Sequence, residues 1–359
     1  MMTQKTELLC ELSNMYGPSG FEHRVGRLMA QKLSDIAETS FDNLGSAICR
    51  LQGRADEPKV MLAAHTDEIG FMVKTVTDDG YLTFAPLGGW WDQLLLGQLM
   101  VVLTNSGEIP GVIAAKPPHL LDEEERKKVV ARKKMFLDVG AADREEAAEK
   151  MTIRPGDPIV PMTKCTELAG GTRLMGKAWD DRVGVAVVIE TLRRLHDEGH
   201  NNTVYGVGTA QEEVGLRGAQ TAVQTVEPDV ALILETAIAG DVPGIESHES
   251  ETKLGGGPTI YVLEGSAIPN LALRDLAIET CEELGMSYQL TALERGGTDA
   301  GKIHVHAGGV PSLVLAVATR HIHSPAGIID ISDFEDTVNL TTALVRKLDG
   351  ETAASLLPS

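Results

Sequence analysis

A chain of 359 residues can bury one large core or two domains, and 43% apolar with 23% charged residues is the composition of a folded globular protein. With 52 acidic against 32 basic residues, the net charge of −20 argues against binding nucleic acid or an anionic membrane surface, which need a basic face. No apolar run approaches the ~20 residues of a membrane span. Residues 1–15 lack the apolar block of a signal peptide, so the expected location is the cytoplasm.

In chain order, Leu8, Leu9, Leu12 and Met15 recur at helical spacing, as do Val25, Leu28, Met29, Leu33 and Ile36. Gly17-Pro-Ser-Gly20 breaks the first helix and offers Ser19 as a cap for the second. A hairpin over residues 39–51 turns at Asn43-Leu44-Gly45, and residues 59–64 read as a buried strand. Alternating runs follow at 69–76, 81–85, 99–103 and 109–114, separated by Asp-Asp-Gly, Gly-Gly and Asn-Ser-Gly, the pattern of a small antiparallel β domain. Residues 116–134 are rich in proline and charge and predict a solvated, mobile excursion; strands resume at 135–139 and 157–160.

Beyond about residue 164, strands (203–210, 229–235, 259–263, 288–292, 312–317) alternate with helical patterns (182–197, 215–225, 270–284, 299–306). A final helix starts at the capping box Ser332-Asp-Phe-Glu335. The alternation predicts an α/β fold, a mainly parallel mixed sheet flanked by helices that also takes in the N-terminal strands. The catalytic domain is then discontinuous, 1–67 and 164–359, with the β domain of 68–163 inserted in it. Cys10, Cys49, Cys165 and Cys281 lie far apart without Cys-x-x-Cys spacing, and each is expected as a reduced, buried apolar residue.

In an open α/β sheet, ligands bind outside the carboxyl ends of the strands. His65 and Asp67 end one apolar strand, Glu212 and Glu213 another, Glu235 a third and His323 a fourth, while Asp180 opens the helix at 182. So many carboxylates on one rim would repel one another unless cations neutralised them. Imidazole with carboxylate and no thiolate suits zinc, cobalt or manganese. Two divalent ions account for the number of ligands better than one, with one carboxylate bridging and another left to move a proton. Spacing alone does not say whether Glu212 or Glu213 is the base.

Other motifs are less apt. Gly171 to Lys177 approaches a phosphate loop, but Ala178 replaces its hydroxyl residue. His304 and His306 share a helix with positions two apart and read as structural, and His23, His119, His196, His200 and His248 as surface residues.

The chain resembles the tetrahedral co-catalytic metallo-aminopeptidases, the family of glutamyl and deblocking aminopeptidases. The motifs that carry the resemblance are Ala64-His-Thr-Asp-Glu-Ile-Gly70, Gly176-Lys-Ala-Trp-Asp-Asp-Arg182, Gln211-Glu-Glu-Val-Gly-Leu-Arg-Gly218, Gly296-Gly-Thr-Asp-Ala300 and Arg320-His-Ile-His-Ser324. The resemblance implies that Asp180 bridges, with His65 and Glu235 on one metal and Glu213 and His323 on the other. It implies Glu212 as general base, Asp67 as the carboxylate orienting His65, and Gly297, Thr298 and Asp299 near the substrate. Glu235 stands where many relatives carry Asp, and His321 where many carry Tyr. The resemblance further implies dimerisation through the β insertion and a hollow twelve-subunit particle acting on small peptides. Left open beside the aminopeptidase are a deacylase acting on another amide and a non-catalytic assembly stabilised by metal.

Overall fold

Side-chain parity along two central strands decides what each face of the sheet holds. In Lys59–His65, Val60, Leu62 and Ala64 pack into one apolar cluster, while Met61 and Ala63 pack into another on the opposite face. Val230–Ile238 divides likewise, with Val230, Leu232 and Leu234 on the first side and Ala231 and Ile233 on the second. Both faces must therefore be covered, as in a parallel sheet. The computed structural model, which describes residues 4–357, covers them with helices.

Gln4–Asn14, His23–Leu33, Trp179–Glu198, Leu271–Glu283 and Ile331–Lys347 contribute to the first cluster. Arg217–Val226 and the short Ala300–Ile303 contribute to the second. Thr203–Thr209, Lys59–His65, Val230–Ile238 and Ser312–Arg320 run parallel in that spatial order through the middle of an 11-stranded sheet. Antiparallel strands extend both edges: Glu38–Phe41 and Ala47–Leu51 on one, Gly327–Asp330 and Arg173–Gly176 on the other. A mixed sheet with a parallel centre is the expected α/β arrangement.

The chain between residues 70 and 161 leaves this sheet and closes a separate antiparallel barrel. Its order is Gly70–Val76, Leu82–Leu87, Phe136–Asp138, Gly107–Ala114, Leu99–Thr104, Pro158–Pro161. Phe71, Val73, Leu82, Met100, Val102, Ile113 and Leu137 fill it. Residues 118–134 form short helical turns, with Asp122 accepting the Glu125 N–H at 2.6 Å.

Several expectations need correction. Ser19 does not cap the second helix; its hydroxyl donates to Asp67 Oδ2 at 2.6 Å, and Glu22 occupies the cap position without a side-chain bond. The last long helix is capped by Asp330, which accepts the Ser332 N–H at 3.0 Å, and not by Ser332. The helix expected over 299–306 is only Ala300–Ile303. Gly327–Asp330 is a strand with no alternating run to announce it. His200 is buried, its Nδ1 2.7 Å from the Asn202 carbonyl oxygen.

The largest correction concerns the cysteines. Cys10 and Cys165 form a disulfide across 155 residues of chain, tying the first helix to the segment that returns from the barrel. Only Cys49 and Cys281 remain as free, buried thiols. Thiol titration of the oxidised protein in denaturant should therefore count two reactive groups, rising to four after reduction. A count of four without reductant would remove the disulfide.

Candidate active site

Strand register brings the first pair of polar side chains together. Val230 lies opposite Val60 and Ile233 opposite Ala63, so continuing the ladder sets Glu235 level with His65 on the same face. Asp180 enters from the start of the helix Trp179–Glu198, where Ala178 is left-handed and Asp180 and Asp181 leave helical geometry. That irregularity gives the adjacent acids different partners. Asp181 is fully buried, accepting the Gly184 N–H at 3.0 Å and the His65 N–H at 3.1 Å. Asp180 turns to the rim.

The loop carrying Glu212 and Glu213 is held by its backbone. Gln211 N–H donates to Glu22 Oε1 at 2.8 Å, Glu212 N–H to Asp67 Oδ1 at 2.9 Å and Glu213 N–H to Asp67 Oδ2 at 3.2 Å. Two buried carboxylates thus fix three successive amides, and Gln211 is left-handed within the grip. His321 and His323, after the strand Ser312–Arg320, are also left-handed.

Two clusters result, His65 with Asp180 and Glu235, and Asp180 with Glu213 and His323; the potential donor atoms within each lie within 4.8 Å of one another. His65 Nε2 is 2.9 Å from Asp180 Oδ1, 3.7 Å from Glu235 Oε1 and 4.0 Å from Glu212 Oε2. His323 Nε2 is 3.3 Å from Asp180 Oδ2 and 3.4 Å from Glu213 Oε1. The remaining nitrogen of His65, Nδ1, is 3.1 Å from the Asp67 carbonyl oxygen and 3.5 Å from Asp67 Oδ1. Donation to the carbonyl fixes the tautomer and leaves Nε2 as the inward-facing lone pair.

The crowding appears in the proton affinities. Burial pushes Glu235 well above the carboxylate range, and Asp181 and Asp180 push it further. Burial likewise raises Glu212, helped by Asp299, Glu235 and Glu213. Asp180 goes the other way: burial would raise it, but His323 and His65 outweigh that and hold it low. Burial opposes charging His323, yet Asp180 and Glu213 push its pKa up to about 11. Glu213 Oε1 is buried with no hydrogen-bond partner among the described residues. The pocket therefore has strong local demand for positive charge.

The residues of the Gly296-Gly-Thr-Asp motif are placed differently. Thr298 and Asp299 are buried, Asp299 accepting from the Thr209 hydroxyl and Thr298 accepting the Ala300 N–H at 3.2 Å. Gly297 packs against Ser266 so tightly that a β-carbon there would lie 2.6 Å from its Oγ. Glu22 and the ion network beneath the site left no signal in the sequence, Ser19 read there only as a helix cap, and Asp181 stood beside Asp180 with no role of its own. Lys177 Nζ donates to Glu68 at 2.7 and 2.8 Å and to the Met15 carbonyl at 2.7 Å. Arg182 donates to the carbonyls of Leu12 and Met15 at 2.8 and 3.1 Å. With its ammonium committed there, Lys177 is not part of a phosphate loop.

Known proteins resemble this chain over nearly its whole length. The family model described as M42 glutamyl aminopeptidase matches residues 45–340. A TET aminopeptidase from the marine sediment archaeon Thaumarchaeota archaeon SCGC AB-539-E09 is 46% identical, covers 99% of both chains and superposes with a TM-score of 0.96. The lysyl aminopeptidase of Pyrococcus furiosus is 34% identical over 349 residues, 95% of this chain and 97% of its own. The TET1 peptidase of Pyrococcus horikoshii, which can assemble into a tetrahedron or a large octahedral shell, is 32% identical over 96% of this chain and 100% of its own, with a TM-score of 0.85.

The network under the site generates a stability test. Lys177→Met leaves a buried carboxylate short of its closest cation and should cost about 3–5 kcal/mol in a urea melt, with Glu68→Gln/Lys177→Met recovering part of it. An unchanged melt for the single variant would show that the pair contributes nothing.

Proposed function

Because the chain belongs to the M42 glutamyl aminopeptidase family and is an aminopeptidase, we propose that it releases N-terminal residues from small peptides with two divalent cations held by His65, Asp180, Glu213, Glu235 and His323. The observation that carries this reading is the Asp180 carboxylate. Its Oδ1 lies 2.9 Å from His65 Nε2 and its Oδ2 3.3 Å from His323 Nε2, one oxygen for each cluster. His65 and Glu235 complete one set, Glu213 and His323 the other.

The donor set fits the ions. It consists of imidazole nitrogens and carboxylate oxygens, which suits zinc or cobalt, with manganese a further choice. Glu213 Oε1, buried without a hydrogen bond among the described residues and approached by His323 Nε2 at 3.4 Å, supports an occupant other than protein between the two. When bound, such ions lower the pKa of an attacking water and polarise the scissile carbonyl.

The chain's own residues move the proton. Glu212, whose carboxylate is raised by burial, accepts it at the side-chain oxygen and returns it to the leaving amine. Asp67 holds the Glu212 and Glu213 amides, so the base and its neighbouring ligand start from one fixed backbone. Gly297, Thr298 and Asp299 flank the substrate in this reading, with Asp299 bracing the strand end through Thr209. Side-chain preference does not carry over from the relatives. The family description names a glutamyl enzyme and the Pyrococcus furiosus relative is a lysyl one, opposite charges on one scaffold.

Self-association through the barrel, as a dimer and then a twelve-subunit tetrahedral particle, belongs to the same proposal. Trp91, Leu96, Leu99 and Leu120 are large apolar side chains exposed there, and the Pyrococcus horikoshii relative assembles.

Glu212→Gln keeps the fold and both ions by elemental analysis but should lose roughly 10²- to 10⁴-fold in kcat on aminoacyl substrates. Undiminished turnover would end the role assigned to Glu212. Light scattering should give a mass of many subunits, and a strict monomer at micromolar concentration would remove the assembly.

A further inference from the structure

The two imidazoles of the site are supported unequally. His65 is 3% exposed and its Nδ1 is held by the Asp67 carbonyl. The His323 side chain is 40% exposed, and its approaches to Asp180 and Glu213 are both made by Nε2. The space beside Nδ1 is bounded by Gly89 in the turn after the second barrel strand, where a side chain would crowd it. A β-carbon built on Gly89 would lie 3.0 Å from His323 Nδ1 and 3.3 Å from its Cε1.

The preceding residue is equally close to the other terminal ligand of the cluster. A β-carbon on Gly88, at φ +82, would lie 2.6 Å from Ile69 Cγ2 and 3.1 Å from Glu213 Oε2. The turn itself is pinned by the next residue. Trp90 Nε1–H donates to the Gly70 carbonyl at 2.9 Å, and the indole stacks on Phe71 with centroids 4.8 Å apart. A turn of the inserted barrel, anchored by Trp90, thus comes close enough to Glu213 and His323 that a side chain at either glycine would crowd them.

We propose that Gly89 is a positioning residue for His323: by lacking a β-carbon it leaves the imidazole the place it takes beside Asp180 and Glu213, whereas the Asp67 carbonyl secures His65 by hydrogen bond. The inference rests on the two-cation reading and deepens it by making the barrel part of the second cation's site. Gly88 has a left-handed backbone that any side chain would strain, so it is a poor probe. Gly89 does not, and alanine there asks only the imidazole to yield by a few tenths of an ångström.

The experiment is zinc and cobalt titration by calorimetry, with bound metal counted by elemental analysis, on wild type, Gly89→Ala, Gly89→Val and the control Gly308→Ala. A β-carbon on Gly308 meets nothing within 4 Å. Wild type and control should take two ions. Both Gly89 variants should take the first with unchanged affinity and the second about tenfold more weakly, valine more than alanine, the scale of losing an outer contact to a ligand. The visible spectrum of the second cobalt should shift in step, and the metal-free melting temperatures should stay at the wild-type value. Two ions bound at wild-type affinity by both Gly89 variants would overturn the inference and leave the two-cation reading intact. A wild type that binds only one ion would overturn that reading and this inference with it.

Discussion

The shared Asp180 carboxylate is the constraint around which the site is built. It faces imidazoles at both ends, so neither cluster can move without disturbing the other. Each flanking element is fixed accordingly. His65 and Glu235 are set by strand register, the Glu212–Glu213 loop by Asp67 and Glu22, and Asp180 by the irregular first turn in which Asp181 faces inward. Carboxylates this close repel when all are charged, and the raised affinities of Glu235 and Glu212 are that repulsion added to burial. The rim is an arrangement under electrostatic stress that bound cations would relieve.

The stress is borne by what lies below. Glu68, one residue beyond Asp67, faces Lys177 and Arg182, and these two cations also bind carbonyls of the first helix and the turn after it. The N-terminal segment therefore acts as a brace. Ser19 reaches Asp67 and Glu22 reaches Gln211, so the turn at residues 17–22 holds the Glu212–Glu213 loop from behind. Gly17 fits closely there, since a β-carbon would lie 3.0 Å from Glu22 Cα and 3.1 Å from an Arg182 nitrogen.

The parts legible in the sequence were those with a period or a boundary. Apolar strands announced themselves, and the polar residue ending each was visible as a strand-end residue, so His65, Glu213, Glu235 and His323 could be collected before their distances were known. Glu22, Ser19 and Asp181 act through backbone amides or through Asp67, which leaves no periodic trace. The Cys10–Cys165 pairing depends on contact between distant segments, which spacing does not encode. The Gly88-Gly89 pair read as a separator between strands, whereas its role is close approach to two side chains on the other domain. The strand Gly327–Asp330 has four residues, too few for alternation to register.

The disulfide joins residues on either side of the barrel segment, because Cys10 precedes the first barrel strand and Cys165 follows the last. A protease that nicks the exposed stretch near residues 120–130 would cut the polypeptide without separating it. The piece carrying His65 and the piece carrying Asp180 and His323 would stay covalently joined, and while that bond lasts a clipped molecule keeps both halves of its cluster of acids and imidazoles.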